Sequence, residues 1–195
     1  MQSASVEVAK QELRRVALVR RDSLSPQERA VAAQVVAARA LPVTVSSGLV
    51  VSGYSPLNSE INPIPLLRRF ADAGASLALP VVSGRGQPLL MRAWNFGEPL
   101  GSGVWGIREP LSSAPEILPD VLIVPLLAFD RRGHRIGYGA GYYDMTITRL
   151  RAVKSITAIG MAFACQEVDR VPVTPRDARL DLVLTENGDI DCRKM

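Results

Sequence analysis

The most apolar stretch of the sequence is VLIVPLLAF, at residues 121–129. It contains Pro125 and is far too short to cross a membrane, which takes about 20 apolar residues. We therefore expect a buried strand at residues 121–128. A glycine-rich segment follows this run, and a helical pattern then covers residues 143–152. A buried strand, a glycine-rich loop and a helix in this order are typical of an α/β protein with a mostly parallel sheet.

The alternation of helices and strands extends in both directions from this run. Toward the N-terminus, a helix is predicted at residues 6–21 and a second one from Ser25 to near Pro42. Ser25, Pro26 and Glu28 have the spacing of a capping box with proline at the first helical position. Further patterns predict a helix at 63–73, strands at 48–54, 76–80, 89–93, 155–163 and 180–186, and a region of hairpins and loops at 81–116.

No repeat or low-complexity tract interrupts this pattern, so we predict a single domain over residues 1–195. Its parts are a helical N-terminal segment at 1–40 and an α/β core at 41–195. The hydrophobic fraction of 47% and the charged fraction of 22% are those of a chain that buries a core, which excludes a disordered protein.

Charge and cysteine content limit the classes of function and compartment. Lysine and arginine outnumber the acids by 23 to 19, and a net charge of +4 is small for a nucleic-acid protein but suits an anionic small molecule. The two cysteines, Cys165 and Cys192, are too few for a disulfide framework. The first residues lack the apolar core of a signal peptide. We expect a cytoplasmic protein without a membrane segment.

Residues 135–144, RIGYGAGYYD, carry the clearest chemical signal. Gly137, Gly139 and Gly141 alternate with other residues between the buried strand and the helix. Glycines at this place let backbone N–H groups and a helix N-terminus face an anion, which predicts a phosphate-binding loop. The segment is neither a Walker A loop nor a dinucleotide fingerprint. The alternative is a tight loop that needs glycine for its conformation only.

Four other positions have both a chemical and a structural interpretation. Lys10 and Arg14 lie one helical turn apart and suit two phosphate oxygens, but they also suit a solvated helix face. Asp144 suits Mg²⁺ or a helix cap. Glu60, in the loop of residues 54–60, suits a polar ring or an exposed helix start. Trp105 suits core packing or an aromatic wall beside a flat ligand.

Taken in order, these residues resemble the 5-formyltetrahydrofolate cyclo-ligase family, also called methenyltetrahydrofolate synthetases. The resemblance covers nearly the whole chain, and the glycine-Tyr-Tyr-Asp segment is its most specific part. It is carried by Lys10, Leu13 and Arg14, by Glu60, by Gly106, Glu109 and Pro110 next to Trp105, by Phe129, Asp130 and Gly133, by residues 135–144, and by Val171, Pro172, Val173, Asp177 and Asp181. Tyr138, Ala140 and Met145 depart from the usual family pattern.

The resemblance implies a three-layer α/β/α domain and an ATP-dependent reaction. In that reaction 5-formyltetrahydrofolate and ATP give 5,10-methenyltetrahydrofolate, ADP and phosphate, with Mg²⁺, through phosphorylation of the formyl oxygen. The implied partners are these two small molecules only, bound by a monomer that contacts neither nucleic acid nor membrane.

The resemblance also assigns the site residues. Lys10, Arg14 and Tyr142 are the implied catalytic residues, and Asp144 and Asp177 the metal ligands. The implied ATP site comprises Lys10, Gln11, Glu12, Leu13, Arg14, Arg135, Ile136, Gly137, Tyr138, Gly139, Ala140, Gly141, Tyr142 and Tyr143. The implied folate site comprises Ser55, Glu60, Trp105, Tyr138, Gly139, Ala140, Gly141 and Tyr142.

Two alternatives of other classes stay open at this point. Arg15, Arg20 and Arg21 add to the basic character of the first helix, which permits an RNA-binding module. The phosphate loop also permits a small-molecule kinase with a different acceptor, or a folate-binding regulator.

Overall fold

The chain forms a seven-stranded sheet between layers of helices. A computed structural model describes residues 2–194. The helices are α1 (Gln2–Asp22), α2 (Pro26–Ala38), α3 (Ile64–Asp72) and α4 (Tyr142–Val153), with short 3₁₀ helices at Val104–Gly106, Ala164–Gln166 and Cys192–Lys194. The strands are β1 (Val50–Ser52), β2 (Ser76–Val81), β3 (Leu90–Ala93), β4 (Leu100–Ser102), β5 (Arg108–Pro110), β6 (Val121–Pro125), β7 (Ala128–Phe129), β8 (Arg135–Ile136), β9 (Thr157–Met161), β10 (Leu182–Thr185) and β11 (Gly188–Asp191).

The strand order of the main sheet is β11-β10-β9-β6-β1-β2-β3. The five inner strands are parallel, and the edge strands β3 and β11 are antiparallel to their neighbours. Strands β4 with β5 and β7 with β8 form two separate antiparallel ribbons. The mostly parallel sheet is therefore as predicted.

Each face of the sheet is covered by helices, which gives the three layers. On one face, Val51 and Ile123 pack with α2 and α3, which contribute Val36 and Phe70. On the other face, Leu122 packs with Ile147 and Leu150 of α4 and with other strand residues. Helix α1 lies against the β7–β8 ribbon, where Ala17 contacts a third apolar cluster. None of the helices within residues 2–194 is both long and apolar enough to span a membrane.

The capping-box prediction for the second helix is confirmed. Ser25 is the N-cap of α2, and its hydroxyl accepts a hydrogen bond from the Glu28 N–H while the Glu28 carboxylate accepts one from the Ser25 N–H. Pro26 occupies the first helical position. Local chemistry therefore sets the start of this helix.

Two strand predictions need correction. The run predicted as one strand at 121–128 is divided: β6 ends at Pro125, and Ala128–Phe129 forms β7 in the separate ribbon. Pro125 has no N–H with which to continue the ladder, so the chain leaves the sheet there. The edge strand β11 was not predicted, because its sequence GDID has two acids among four residues.

The centre of the sheet is the point where the strand order changes direction. From β1 the chain passes through α3 to β2 on one side, and from β6 it passes through α4 to β9 on the other side. Ligands of open α/β sheets bind outside the carboxyl ends of the strands at such a point. The loops that follow β1 and β6 are therefore the place to look for a site.

Candidate active site

Helix α1 presents a basic stripe to the interior. Lys10, Arg14, Ala17 and Arg21 are spaced by four, three and four residues, which places them on one helix face. Lys10 and Arg21 are buried, with 6% and 0% of their surface exposed, and Arg14 is largely buried. The solvated-face interpretation of Lys10 and Arg14 is therefore wrong, because this face meets the glycine-rich loop and its surroundings.

Lys10 is paired with Asp177. Its Nζ lies 2.7 Å from Oδ1 and 2.5 Å from Oδ2 of Asp177, and Oδ2 also accepts a hydrogen bond from the Thr174 N–H at 2.6 Å. Burial acts to raise the pKa of Asp177, but Lys10 and the Thr174 N–H outweigh it and hold that pKa below its usual value. The pair keeps the ammonium in place at the inner face of α1.

Arg14 holds the glycine-rich loop. Its Nε donates to the Gly137 carbonyl oxygen at 3.1 Å. Gly139 and Gly141 have left-handed φ angles of +101° and +71°, and a Cβ at Gly139 would lie 3.4 Å from Arg14 Cζ. Glycine is thus required here for conformation and for the approach of Arg14. The conformational interpretation of the glycines is confirmed, and the phosphate-binding one stays a prediction. The loop ends at the N-terminus of α4, where no side chain caps the helix within the described residues.

Asp144 does not cap α4. Its Oδ1 accepts hydrogen bonds from Arg135 Nη2 at 2.9 Å and from the Ala178 N–H at 3.0 Å. Arg135 is itself buried, and its Nη1 donates to the Ala178 carbonyl oxygen at 2.5 Å. The capping interpretation of Asp144 is wrong, since the carboxylate faces Arg135 and the chain next to Asp177 rather than its own helix.

The loop after β1 forms the other half of the site. Glu60 is 8% exposed, and its Oε2 accepts a hydrogen bond from the Leu57 N–H at 2.8 Å. Burial raises the pKa of Glu60 above its ordinary value, although the Leu57 N–H, the Arg21 charge and the Tyr138 hydroxyl act to lower it. The exposed-charge interpretation of Glu60 is therefore wrong. Tyr54, buried beside it, donates its hydroxyl hydrogen to the Ile61 carbonyl oxygen at 2.6 Å.

The β4–β5 ribbon carries Trp105 above the start of α4. The indole ring is 67% exposed, and its centroid lies 6.2 Å from that of Tyr142. Trp105 has a left-handed φ of 59°, which is rare for a bulky residue. The Ser55 hydroxyl donates to the Arg108 carbonyl oxygen at 2.6 Å and so ties the ribbon to the loop after β1. The core-packing interpretation of Trp105 is therefore wrong. The ring lies at the surface, where it could form an aromatic wall beside a flat ligand.

Not every predicted residue faces the site. Gln11 and Glu12 are exposed on the outer side of α1, where Glu12 pairs with Arg15, and Leu13 packs against the apolar cluster around Ala17. Ile136 is buried in the same cluster. Tyr142 and Tyr143, in the first turn of α4, are partly buried against the core, whereas Tyr138 and Ala140 are exposed.

Sequence reasoning missed two members of the site. Arg21 bonds Ser59 and Tyr138, and Tyr54 is buried beside Glu60; the sequence patterns single out neither as a ligand-binding residue. The spacing of Lys10, Arg14 and Arg21 on one helix face was the signal that could have identified Arg21.

The acidic side chains of the site offer few ligands for a metal ion. Among residues 2–194 no three His, Cys, Asp or Glu side chains come together in a way that could hold a metal ion. Mg²⁺ in nucleotide sites usually takes one or two carboxylates and completes its shell with phosphate oxygens and water. Asp144 fits this donor set, because its Oδ2 makes no hydrogen bond within the described part of the chain. Both oxygens of Asp177 are engaged by Lys10 or Thr174.

Comparison with known proteins supports the family resemblance carried by the sequence. The family model for the 5-formyltetrahydrofolate cyclo-ligase family matches residues 6–186. The 5-formyltetrahydrofolate cyclo-ligase of Escherichia coli is 32% identical over 174 residues, which cover 85% of this chain and 94% of the relative. That of Mycolicibacterium smegmatis is 33% identical over 151 residues, covering 71% and 74% of the two chains.

A solved structure also supports membership of this family. The 5,10-methenyltetrahydrofolate synthetase of Aquifex aeolicus superimposes with a TM-score of 0.78 at 31% identity, over 94% of this chain and 93% of that one. On the family match, the similarity to these relatives and the shared fold, this chain belongs to the 5-formyltetrahydrofolate cyclo-ligase family.

Proposed function

We propose that this chain binds ATP and 5-formyltetrahydrofolate side by side at the β1–β6 boundary and converts them to ADP, phosphate and 5,10-methenyltetrahydrofolate. The observation that carries the proposal is the meeting of two unlike half-sites at this boundary. A cationic half is built by Lys10, Arg14 and the glycine-rich loop. A half with a buried carboxylate and aromatic rings is built by Glu60, Tyr138 and their neighbours.

The cationic half suits the phosphates of ATP. Lys10 supplies a point charge, Arg14 a planar group beside Gly139, and the uncapped N-terminus of α4 supplies backbone N–H groups. Asp144 would hold Mg²⁺ together with the phosphates, and the ion would neutralise phosphate charge there. Asp177, the second ligand that the resemblance implies, has both oxygens bonded to Lys10 or Thr174 and would position Lys10 instead. Arg135 positions Asp144 through their 2.9 Å hydrogen bond.

The other half suits a reduced pterin. The pterin ring carries N–H groups that can donate hydrogen bonds to a buried carboxylate such as Glu60. Trp105 and Tyr142 offer aromatic surface for the ring. Ser55 supports this half by tying the β4–β5 ribbon in place. We assign the backbone of residues 138–142 to both ligands, because Tyr138 lies beside Glu60 and Gly139 lies beside Arg14.

This arrangement performs the reaction by positioning. The formyl oxygen attacks the γ-phosphorus, forming an O–P bond as the bond to the bridging oxygen breaks and ADP leaves. The neighbouring folate nitrogen then attacks the formyl carbon and loses its proton, and the C–O bond breaks to release phosphate. Lys10 and Arg14 hold the transferring group in line and offset its charge. No protein nucleophile is required.

The direct test is to mix the purified chain with ATP, Mg²⁺ and 5-formyltetrahydrofolate and to record the ultraviolet band of the methenyl product. We expect product only when all components are present. Product without ATP, or ATP consumption with no methenyl band, would overturn the proposal. An RNA-binding module would instead show salt-dependent RNA affinity that neither substrate affects.

We expect Glu60→Gln to weaken folate binding without weakening the fold. Loss of a charged hydrogen-bond acceptor costs about 1.5–3 kcal/mol, so KM for 5-formyltetrahydrofolate should rise at least tenfold at pH 7.5. The folded-state pKa of Glu60 lies above its ordinary value of 4.5, so the folded protein holds this proton more tightly than the unfolded chain. The wild type therefore loses stability as the pH rises from 4.5 to the raised pKa. Glu60→Gln escapes this loss.

The check is to measure urea unfolding of both proteins at pH 4 and pH 7.5, with steady-state kinetics at the higher pH. The variant should gain stability relative to the wild type on going from pH 4 to pH 7.5. Glu116→Gln, at an exposed position paired with Arg92, is the control and should change neither quantity. A destabilised Glu60→Gln protein at pH 7.5 would contradict this account.

The proposal includes the remaining predictions from the sequence. It places the protein in the cytoplasm as a single-domain monomer over residues 1–195, with these two small molecules as its ligands and neither nucleic acid nor membrane as a partner. The small net charge of +4 and the inward direction of Lys10 and Arg21 support it.

A further inference from the structure

Arg21 is a buried cation that forms no ion pair among the described residues, although its charge acts on the nearby Glu60 carboxylate. It is 0% exposed, and within residues 2–194 no acidic side chain forms an ion pair with it. Its Nε donates to the Ser59 hydroxyl at 2.9 Å and its Nη2 to the Tyr138 hydroxyl at 2.6 Å. Its Nη1 is buried and has no hydrogen-bond partner in the described structure.

This arrangement is unfavourable for stability alone. A buried charge is normally paired, and a buried N–H group is normally satisfied. The adjacent residue Arg20 lies in the same last turn of α1 but is exposed, so the helix end does not itself require a buried guanidinium. The burial of Arg21 therefore calls for a reason beyond the fold.

The partners of Arg21 belong to two different loops of the site. Ser59 precedes Glu60 in the loop after β1, and its hydroxyl also donates to the Asp22 carboxylate. Tyr138 belongs to the glycine-rich loop, and its ring centroid lies 5.7 Å from the Arg21 guanidinium. One side chain on α1 thus bonds both loops, which otherwise follow different strands of the sheet.

We propose that Arg21 is a positioning residue that fixes the folate loop and the glycine-rich loop relative to each other. This inference rests on the proposed function, because it assigns the two loops to the two substrates. A fixed distance between the loops keeps the formyl oxygen in line with the γ-phosphorus. A displacement of about 1 Å in such a geometry can cost as much as 100-fold in rate.

The experiment compares Arg21→Lys, Arg21→Met, Tyr138→Phe and the double variant Arg21→Lys/Tyr138→Phe with the wild type. We expect kcat to fall at least tenfold in Arg21→Lys and further in Arg21→Met, with KM for ATP changed less than threefold. Because Arg21 acts through Tyr138, the double variant should be no slower than the slower single variant. Arg20→Met is the matched control and should keep the wild-type kcat.

Two results would overturn the inference. One is a kcat within twofold of the wild type in Arg21→Met; the other is single-variant losses that multiply in the double variant. Urea unfolding of each variant shows whether it is folded, and a purely structural role would lower stability in proportion to the loss of rate. The wild type in the same assay separates the two proposals. If the wild type forms no methenyl product, the proposed function fails. If the wild type is active and kcat is lost only in the Arg21 variants, the result supports the positioning role of Arg21.

Discussion

Replacing Lys10 by methionine is expected to reduce kcat by about 10²–10³-fold, which is the effect of removing one preorganised charge from a transferring group. The ammonium is buried and held within 2.7 Å of both Asp177 oxygens, so it meets the phosphates without first having to be ordered. Methionine keeps most of the side-chain volume. The measurement is single-turnover formation of the methenyl product at saturating ATP.

The variant leaves Asp177 without its cation, so its effect on folding must be separated from its effect on rate. Asp177→Asn in the same chain removes the unpaired charge and should recover stability, but it should not recover kcat. Arg15→Met is a control on the same helix, because Arg15 is exposed and pairs with Glu12 on the outer side of α1. Rates within threefold of the wild type in Lys10→Met would exclude Lys10 from the phosphate site.

The largest expected change in stability comes from Gly133→Ala. Gly133 has a left-handed φ of +85°, and a Cβ there would lie 2.4 Å from the Leu180 carbonyl oxygen and 3.0 Å from Cys192 Cβ. The Gly133 carbonyl oxygen also accepts a hydrogen bond from the Leu180 N–H at 2.8 Å, so the segments around Gly133 and Leu180 cannot move apart freely. We expect a loss of about 4 kcal/mol in the free energy of unfolding, measured in urea.

Gly86→Ala is the matched control for this prediction. Its φ of +73° is similarly left-handed, but no atom lies within 4 Å of a Cβ built there. Only the conformational cost of about 1–2 kcal/mol then applies. Equal losses in the two variants would show that the contact with Leu180 is not the cause.

The sequence predicted the elements whose signals are local. The capping box at Ser25 lies within four residues of chain and is confirmed, and so is the alternation of strands and helices that specifies the parallel sheet. The division of the run at Pro125 was missed. After Pro125, the Leu127 N–H donates to the Ile136 carbonyl oxygen in the separate ribbon. Ile136 comes later in the chain, so the pattern around Pro125 does not show this second pairing.

The site was predicted less completely than the fold, for a physical reason. The glycine-rich loop carries its own chemistry, whereas Arg21 becomes part of the site only when α1 docks on two distant loops. A charged residue at the end of a surface helix has the same local pattern whether it is solvated or buried. Burial of Lys10 and Arg21 therefore depends on tertiary contacts that no window of sequence contains.

The division of the site between the connections that leave β1 and β6 has a consequence for how such enzymes diversify. On the proposed function, the connection after β1 supplies Glu60 to the folate and the connection after β6 supplies the glycine-rich loop to the phosphates, and each connection is anchored on a different face of the sheet by its own helix, α3 or α4. Insertions or exchanges in the segment after β1 can then alter the acceptor molecule while the phosphoryl-donor machinery stays intact. The architecture is modular in this sense, and the first helix is the shared part that any new pairing of modules has to retain.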